Sequence, residues 1–243
     1  MVRGLDVFAE WFKDFSDQYV LIGGTAASLV MQDFGAPFRG TRDLDVVLHL
    51  ETLTPEFGEI FWKFIDAAGY EIKQKSDGWP RLYRFQKPKE EDYPWMVELF
   101  SKLPEGIELF EGSHLSPIPM GEDVSDLSAI LLDSDYYEFA MSGRKTREGL
   151  TWIAEDRLIP LKALAWINLT RSKEAGVDIR SGDIRKHLED IVNLSGLFSP
   201  QMRFDVPLRI SADLKEFIKR VTSDGNTNFT QVKERLTLAY GLE

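Results

Sequence analysis

The chain has 243 residues, with 29 Lys+Arg against 40 Asp+Glu for a net charge of −11, 43% hydrophobic residues and 12% aromatics. That length suits one large domain or two small ones, and that apolar content supports a packed core rather than disorder. The acid excess excludes a protein that coats nucleic acid non-specifically, and the absence of cysteine excludes disulfides, zinc–thiolate sites, iron–sulfur clusters and a thiol nucleophile.

The first fifteen residues carry charges every few positions, unlike a signal peptide, and the apolar runs fall short of a membrane span. The expectation is therefore a soluble cytoplasmic chain with no membrane partner. Val7–Phe15 reads as a short amphipathic helix. Tyr19–Ile22 is an apolar run stopped by Gly23-Gly24, a buried strand, and Thr25–Gln32 has helix-forming composition. Leu44–Leu50 is a second strand, and Glu56–Ala68 is a helix ended by Gly69. Tyr70–Lys75 and Leu82–Gln86 read as a hairpin across Asp77-Gly78. Trp95–Phe100 is a further strand, with another at Ser128–Leu132.

Charge changes along the chain. Residues 1–141 hold 12 basic and 26 acidic residues, and residues 142–243 hold 17 and 14. The break, Ser142-Gly143-Arg144-Lys145-Thr146-Arg147, reads as a basic loop. Beyond it the pattern is helical. Asp156 is placed to cap a helix that carries Pro160 in its first turn and runs towards Gly176. Asp183–Leu194, Leu214–Val221 and Phe229–Leu238 complete the set. The predicted architecture is α+β (α/β): an α/β domain over 1–150 followed by a helical bundle over 151–243.

Chemistry concentrates in Val20–Glu51. A strand delivers the chain to Gly23-Gly24 and a helix begins at once, so the backbone can approach a bulky ligand and free N–H groups at the helix start attract phosphate. Thr25 adds a hydroxyl. There is no lysine, so this is not a P-loop, and a glycine pair alone also serves as a tight turn. Asp43 and Asp45 lie two apart on a strand and so share a face. Adjacent carboxylates repel unless a cation lies between them, and hard oxygen donors suit Mg²⁺ or Mn²⁺. An isolated Asp pair reads as a solvated strand end. The combination with Gly-Gly upstream and with Arg39, Thr41 and Arg42 just before it reads as a cation and phosphate site. Glu98, alone among apolar residues in Trp95–Phe100, is costly to bury unless it is paired or liganded.

The pattern Gly-Gly-Thr, a spacer, then Arg-x-Thr-x-Asp-Leu-Asp resembles the signature of the DNA polymerase beta-like nucleotidyltransferase superfamily, and within it the AbiEii-type toxins of toxin–antitoxin systems. The resemblance implies a nucleotidyltransferase-type mixed sheet flanked by helices, an NTP substrate, and two Mg²⁺ (or Mn²⁺) ions held by Asp43, Asp45 and Glu98. The family usually has Asp at the third position. Nucleotide contacts carried over are Gly23, Gly24, Thr25, Arg39, Thr41, Arg42 and Lys162. Asp156–Trp166 is similar to the family's lysine-bearing helix, and Arg185–Asp190 to its Arg-Asp-x-x-Asp stretch, with His187 where the first Asp would be and Asp190 at the second. Asp43, Asp45, Glu98, Lys162 and Asp190 form the implied catalytic set. Lys162 also reads as an ordinary exposed helix residue. Asp183, His187 and Asp190, spaced i, i+4, i+7, read equally as a solvated face. The acceptor implied is a tRNA, a protein or a small molecule, and a toxin form implies an antitoxin partner. The alternative function is nucleotide binding or a regulatory interaction without transfer. His49, His114, Phe61, Trp62, Tyr136 and Tyr137 read as structural.

Overall fold

A computed structural model describes residues 2–49, 51–72, 81–101, 130–131, 133–223 and 229–242. Helix α1 (Leu5–Phe12) runs into a 3-10 turn (Lys13–Phe15), followed by β1 (Tyr19–Leu21), α2 (Gly23–Asp33), β2 (Asp43–Leu48) and α3 (Pro55–Ala68). Then come β3 (Glu71–Ile72), β4 (Arg81–Gln86) and β5 (Met96–Ser101). The remaining elements are α4 (Ser134–Ser142), β6 (Arg144–Arg147), β7 (Leu150–Ile153), α5 (Glu155–Glu174), α6 (Ser181–Ser195), α7 (Leu208–Ser223) and α8 (Phe229–Tyr240). Among the described residues, no helix is long and apolar enough to cross a membrane.

The strands form one mixed seven-stranded sheet in the order β3-β4-β5-β2-β1-β7-β6. β2 pairs antiparallel with β1 and parallel with β5, while β7 lies parallel to β1. This is the mixed sheet flanked by helices that the sequence predicts, with helices at the C-terminal end.

Local chemistry explains the elements that matter. In α3, Thr54 caps the N-terminus by accepting from the Phe57 amide at 3.4 Å, Pro55 occupies the first turn, and Gly69 closes the helix at φ 62°. Its apolar positions bury Phe57, Phe61 and Phe64 against Phe8, Phe12 and Tyr19, whose rings meet in a mesh of edge and stacked contacts. Each such ring contributes about 2 kcal/mol by leaving water. This cluster covers one face of the sheet and holds the central strands in place.

Three expectations change. The 142–147 stretch is not a loop, because Arg144–Arg147 is an edge strand paired with β7. All four β6 residues are exposed, so the strand has no buried alternation for a pattern to reveal. The proposed division at residue 150 therefore falls at the start of a strand of the sheet. Asp156 does not cap α5: Ala154 is the N-cap, and Pro160 lies in the second turn. Proline there has no N–H for the carbonyl four residues back. That carbonyl, on Asp156, instead accepts from the Tyr240 hydroxyl at 2.9 Å. Finally, Ile130 is helical and Leu131 is in a turn, while 128, 129 and 132 lie outside the described residues, as do Asp77-Gly78 and His114. The expected hairpin partners do pair, Ile72 with Phe85. Phe61, Tyr136 and Tyr137 are buried in the core, as predicted, and Trp62 packs against it.

Candidate active-site cleft

Period-two geometry sets the site. Leu44 and Val46 are buried while Asp43 and Asp45 are only partly buried, so the two carboxylates share the face that lines a cleft of about 940 Å³. The parallel pairing of β2 with β5 sets Asp45 opposite Glu98, and the antiparallel pairing of β4 with β5 sets Arg84 opposite the same Glu98. Asp45, Glu98 and Arg84 thus form one row across three neighbouring strands. Glu98 is 2% exposed and accepts from Arg84 Nε at 2.7 Å.

The electrostatics follow from this crowding. Burial pushes the Asp45 carboxyl well above its ordinary range, and the charge of Glu98, a hydrogen bond to Glu98 and the charge of Asp43 push it further. Burial also raises Glu98, with Arg84 opposing. Asp43 is raised by burial, against the pull of Lys186, Arg84 and Arg42. Three carboxyls that resist ionisation side by side are an arrangement that a cation stabilises.

The Gly-Gly turn abuts this row. Gly23 has φ 66°, and a Cβ there would collide with Asp45 Oδ2. A Cβ on Gly24 would lie 2.9 Å from Thr41 Oγ1. No side chain caps α2, so its first amides keep their capacity to bind an anion. Gly24, Arg39, Thr41 and Arg42 line the cleft beside the two aspartates.

Other predicted residues take different places. Thr25 is fully buried, and its hydroxyl donates to the Asp43 carbonyl at 2.8 Å. It braces the turn against β2 rather than lining the cleft. Asp190 is fully buried and accepts from Arg39 Nε and Nη2 and from Lys162 Nζ, each at 2.7 Å. Burial pulls Asp190 upward, but the Arg39 and Lys162 bonds outweigh it and hold the carboxyl below its ordinary value. Burial lowers Lys162, while Asp190 works against that effect. The geometry is that of an ionised triad: Asp190 is a counter-ion tying α6 and α5 to the segment before β2. Lys162, at 1% exposure, is not the exposed helix residue of the plain reading. His187 is buried and lines the cleft, as does Asp183. His49 is structural, within 3.0 Å of the Asp17 carbonyl.

The sequence reading did not single out Arg84, Trp95, Arg180 or Lys186, all of which line the cleft. Trp95 is 43% exposed. Adjacent strand positions face opposite ways, so Arg84 faces away from the buried Phe85, but its partner follows only from the strand register.

Among the described residues, no three His, Asp or Glu side chains form a ready metal cage. Asp43 and Asp45 nonetheless fit Mg²⁺, which is commonly held by one or two carboxylates with substrate phosphates and water completing the shell.

No protein-family description matches the chain, and no curated protein matches it. A solved structure, that of an antigenic nucleotidyltransferase-like protein from Paracoccidioides brasiliensis, aligns at 14% identity with a TM-score of 0.46, covering 95% of this chain and 93% of that one. At that level of similarity, the chain's own residues carry the functional assignment.

Proposed function

We propose that the chain is a metal-dependent nucleotidyltransferase that moves a nucleoside monophosphate group from an NTP to a hydroxyl acceptor. One observation carries this reading: Gly23 lies against Asp45 with no room for a side chain. An uncapped helix start suited to phosphate and a carboxylate pair suited to a divalent cation therefore meet at a single point. Asp43 and Asp45 would hold a divalent cation, which would supply charge neutralisation to the triphosphate.

The chain's own groups do the rest. Gly23 and Gly24 let the phosphates approach the backbone, and Thr25 fixes the turn to β2. Arg42, exposed at the rim, offers a charge to the phosphates. Arg39 and Lys162, fixed by Asp190, lend positive potential to the wall. The acceptor oxygen attacks the α-phosphorus in line. A new P–O bond forms as the bond to pyrophosphate breaks, pyrophosphate leaves, and the hydroxyl proton passes to a cleft carboxylate. Positioning and electrostatics dominate such a reaction. An AbiEii-like toxin role with an antitoxin partner, and a tRNA, protein or small-molecule acceptor, is the finer reading carried by the sequence resemblance alone.

Binding without transfer is the second reading, favoured by the burial of Lys162 in its pair with Asp190. Labelled α-³²P NTPs with Mg²⁺ and cell lysate separate the two and reveal the acceptor. Label incorporation that Asp45→Asn abolishes while leaving the fold intact is the expected result. An undiminished rate in Asp45→Asn overturns the assignment, and nucleotide binding with no incorporation selects the second reading.

A further inference from the structure

We infer that Arg84 takes the place of a second metal ion, so that the cleft holds one divalent cation per chain, on the Asp43–Asp45 side. The inference deepens the nucleotidyltransferase reading and rests on it.

The row across the sheet supplies the reasons. Arg84 and Asp45 flank Glu98 in register, one from β4 and one from β2. Arg84 Nε donates to Glu98 Oε1 at 2.7 Å, and Nη2 also closes on that oxygen as an ion pair. Side-chain exposures of 12% for Arg84 and 2% for Glu98 keep solvent from weakening the bond. A guanidinium does not lose its proton in proteins, so this charge is permanent. An ion placed between Asp45 and Glu98 would have to take a buried carboxylate from a partner that already neutralises it, and would meet like-charge repulsion a few ångströms away. Asp43 and Asp45 are different. Asp43 and Asp45 share one face of β2, and Asp45 also stands opposite Glu98 across the strands, so carboxylates crowd there. The cation demand therefore lies at the aspartates, while the Glu98 side already carries a cation built into the chain. Arg84 also lines the cleft, where a fixed positive charge beside the reacting phosphates does what a mobile ion would otherwise do.

The test counts Mn²⁺ bound per chain by electron paramagnetic resonance of the free ion, a readout independent of turnover. Wild type binds one, Glu98→Gln still binds one, and Asp45→Asn loses affinity at least tenfold. Arg84→Gln, which releases Glu98, binds two. Two ions in wild type falling to one in Glu98→Gln overturns the inference while leaving the transferase reading standing, as does a single ion in folded Arg84→Gln. No Mn²⁺ on wild type overturns the transferase reading and this inference with it. If Arg84→Gln fails to fold by circular dichroism, the wild-type and Glu98→Gln counts decide.

Discussion

Replacing Gly23 with alanine tests the contact between the turn and the aspartate pair. Two penalties add. The φ of 66° puts a β-carbon in the left-handed region, at about 1 kcal/mol. The new methyl also collides with Asp45 Oδ2, forcing the carboxylate off its rotamer at about 1 kcal/mol more. The sum is roughly 2 kcal/mol, a fall in Tm of roughly 4–8 °C for a chain of this size. Gly35 is the internal control: its φ is 67°, but a Cβ there meets nothing within 4 Å. Gly35→Ala therefore carries only the backbone term, about 1 kcal/mol. Urea unfolding gives both values, and Mn²⁺ titration reads the site. Gly23→Ala is expected to lose both stability and cation affinity, and Gly35→Ala only stability. Equal losses in the two variants, or unchanged Mn²⁺ affinity in Gly23→Ala, would refute the close approach of turn and carboxylate.

Asp190→Asn leaves Lys162 buried without its counter-charge and should destabilise by about 3 kcal/mol in urea melts; a loss under 1 kcal/mol would mean that the triad is not formed. The same carboxyl sets an acid limit. Its folded value lies below the ordinary 3.8, so its stabilisation is complete above that pH and is lost as the pH falls through the folded value. Between pH 4 and 2 wild type should lose stability more steeply than Asp190→Asn, and parallel curves would contradict the sign. Tyr240→Phe removes the donor to the Asp156 carbonyl and should cost about 1 kcal/mol, shrinking in a Pro160→Ala background where the restored amide takes over; an unchanged cost in that background would disprove the compensation. Because burial and Glu98 raise the Asp45 carboxyl, a cation bound there must displace a proton. Mn²⁺ affinity should rise with pH across the acid range, and calorimetry in two buffers should detect proton release. An affinity that does not change with pH argues against Asp45 as a ligand.

The elements around the site were legible because they rest on short-range rules. Gly23-Gly24 after an apolar run forces a strand–turn–helix. A spacing of two puts Asp43 and Asp45 on one face of any strand. A single Glu98 in an apolar run signals a buried charge that needs a partner. Thr54, Pro55 and Gly69 write the limits of α3 into its sequence. The identity of Glu98's partner was not legible, since Arg84 reaches it only through the register of β4 on β5. The β6 strand escaped notice because an edge strand exposed at every position shows no hydrophobic alternation.

What the sequence determined by itself is therefore the local stock of groups: a cysteine-free acidic chain, an uncapped helix start and a same-face aspartate pair. Tertiary structure decided which charges remain available. Folding brings Arg39 to Asp190 across 151 positions and Lys162 to Asp190 across 28, so that two expected phosphate contacts are tied to one buried carboxylate. It also sets Arg84 on Glu98, so that the acid the sequence offers as a metal ligand is ion-paired within the fold. The physical reason is common to both. A buried charge takes the nearest opposite charge, and nearness between distant segments is fixed by strand register and helix packing, not by the order of residues along the chain.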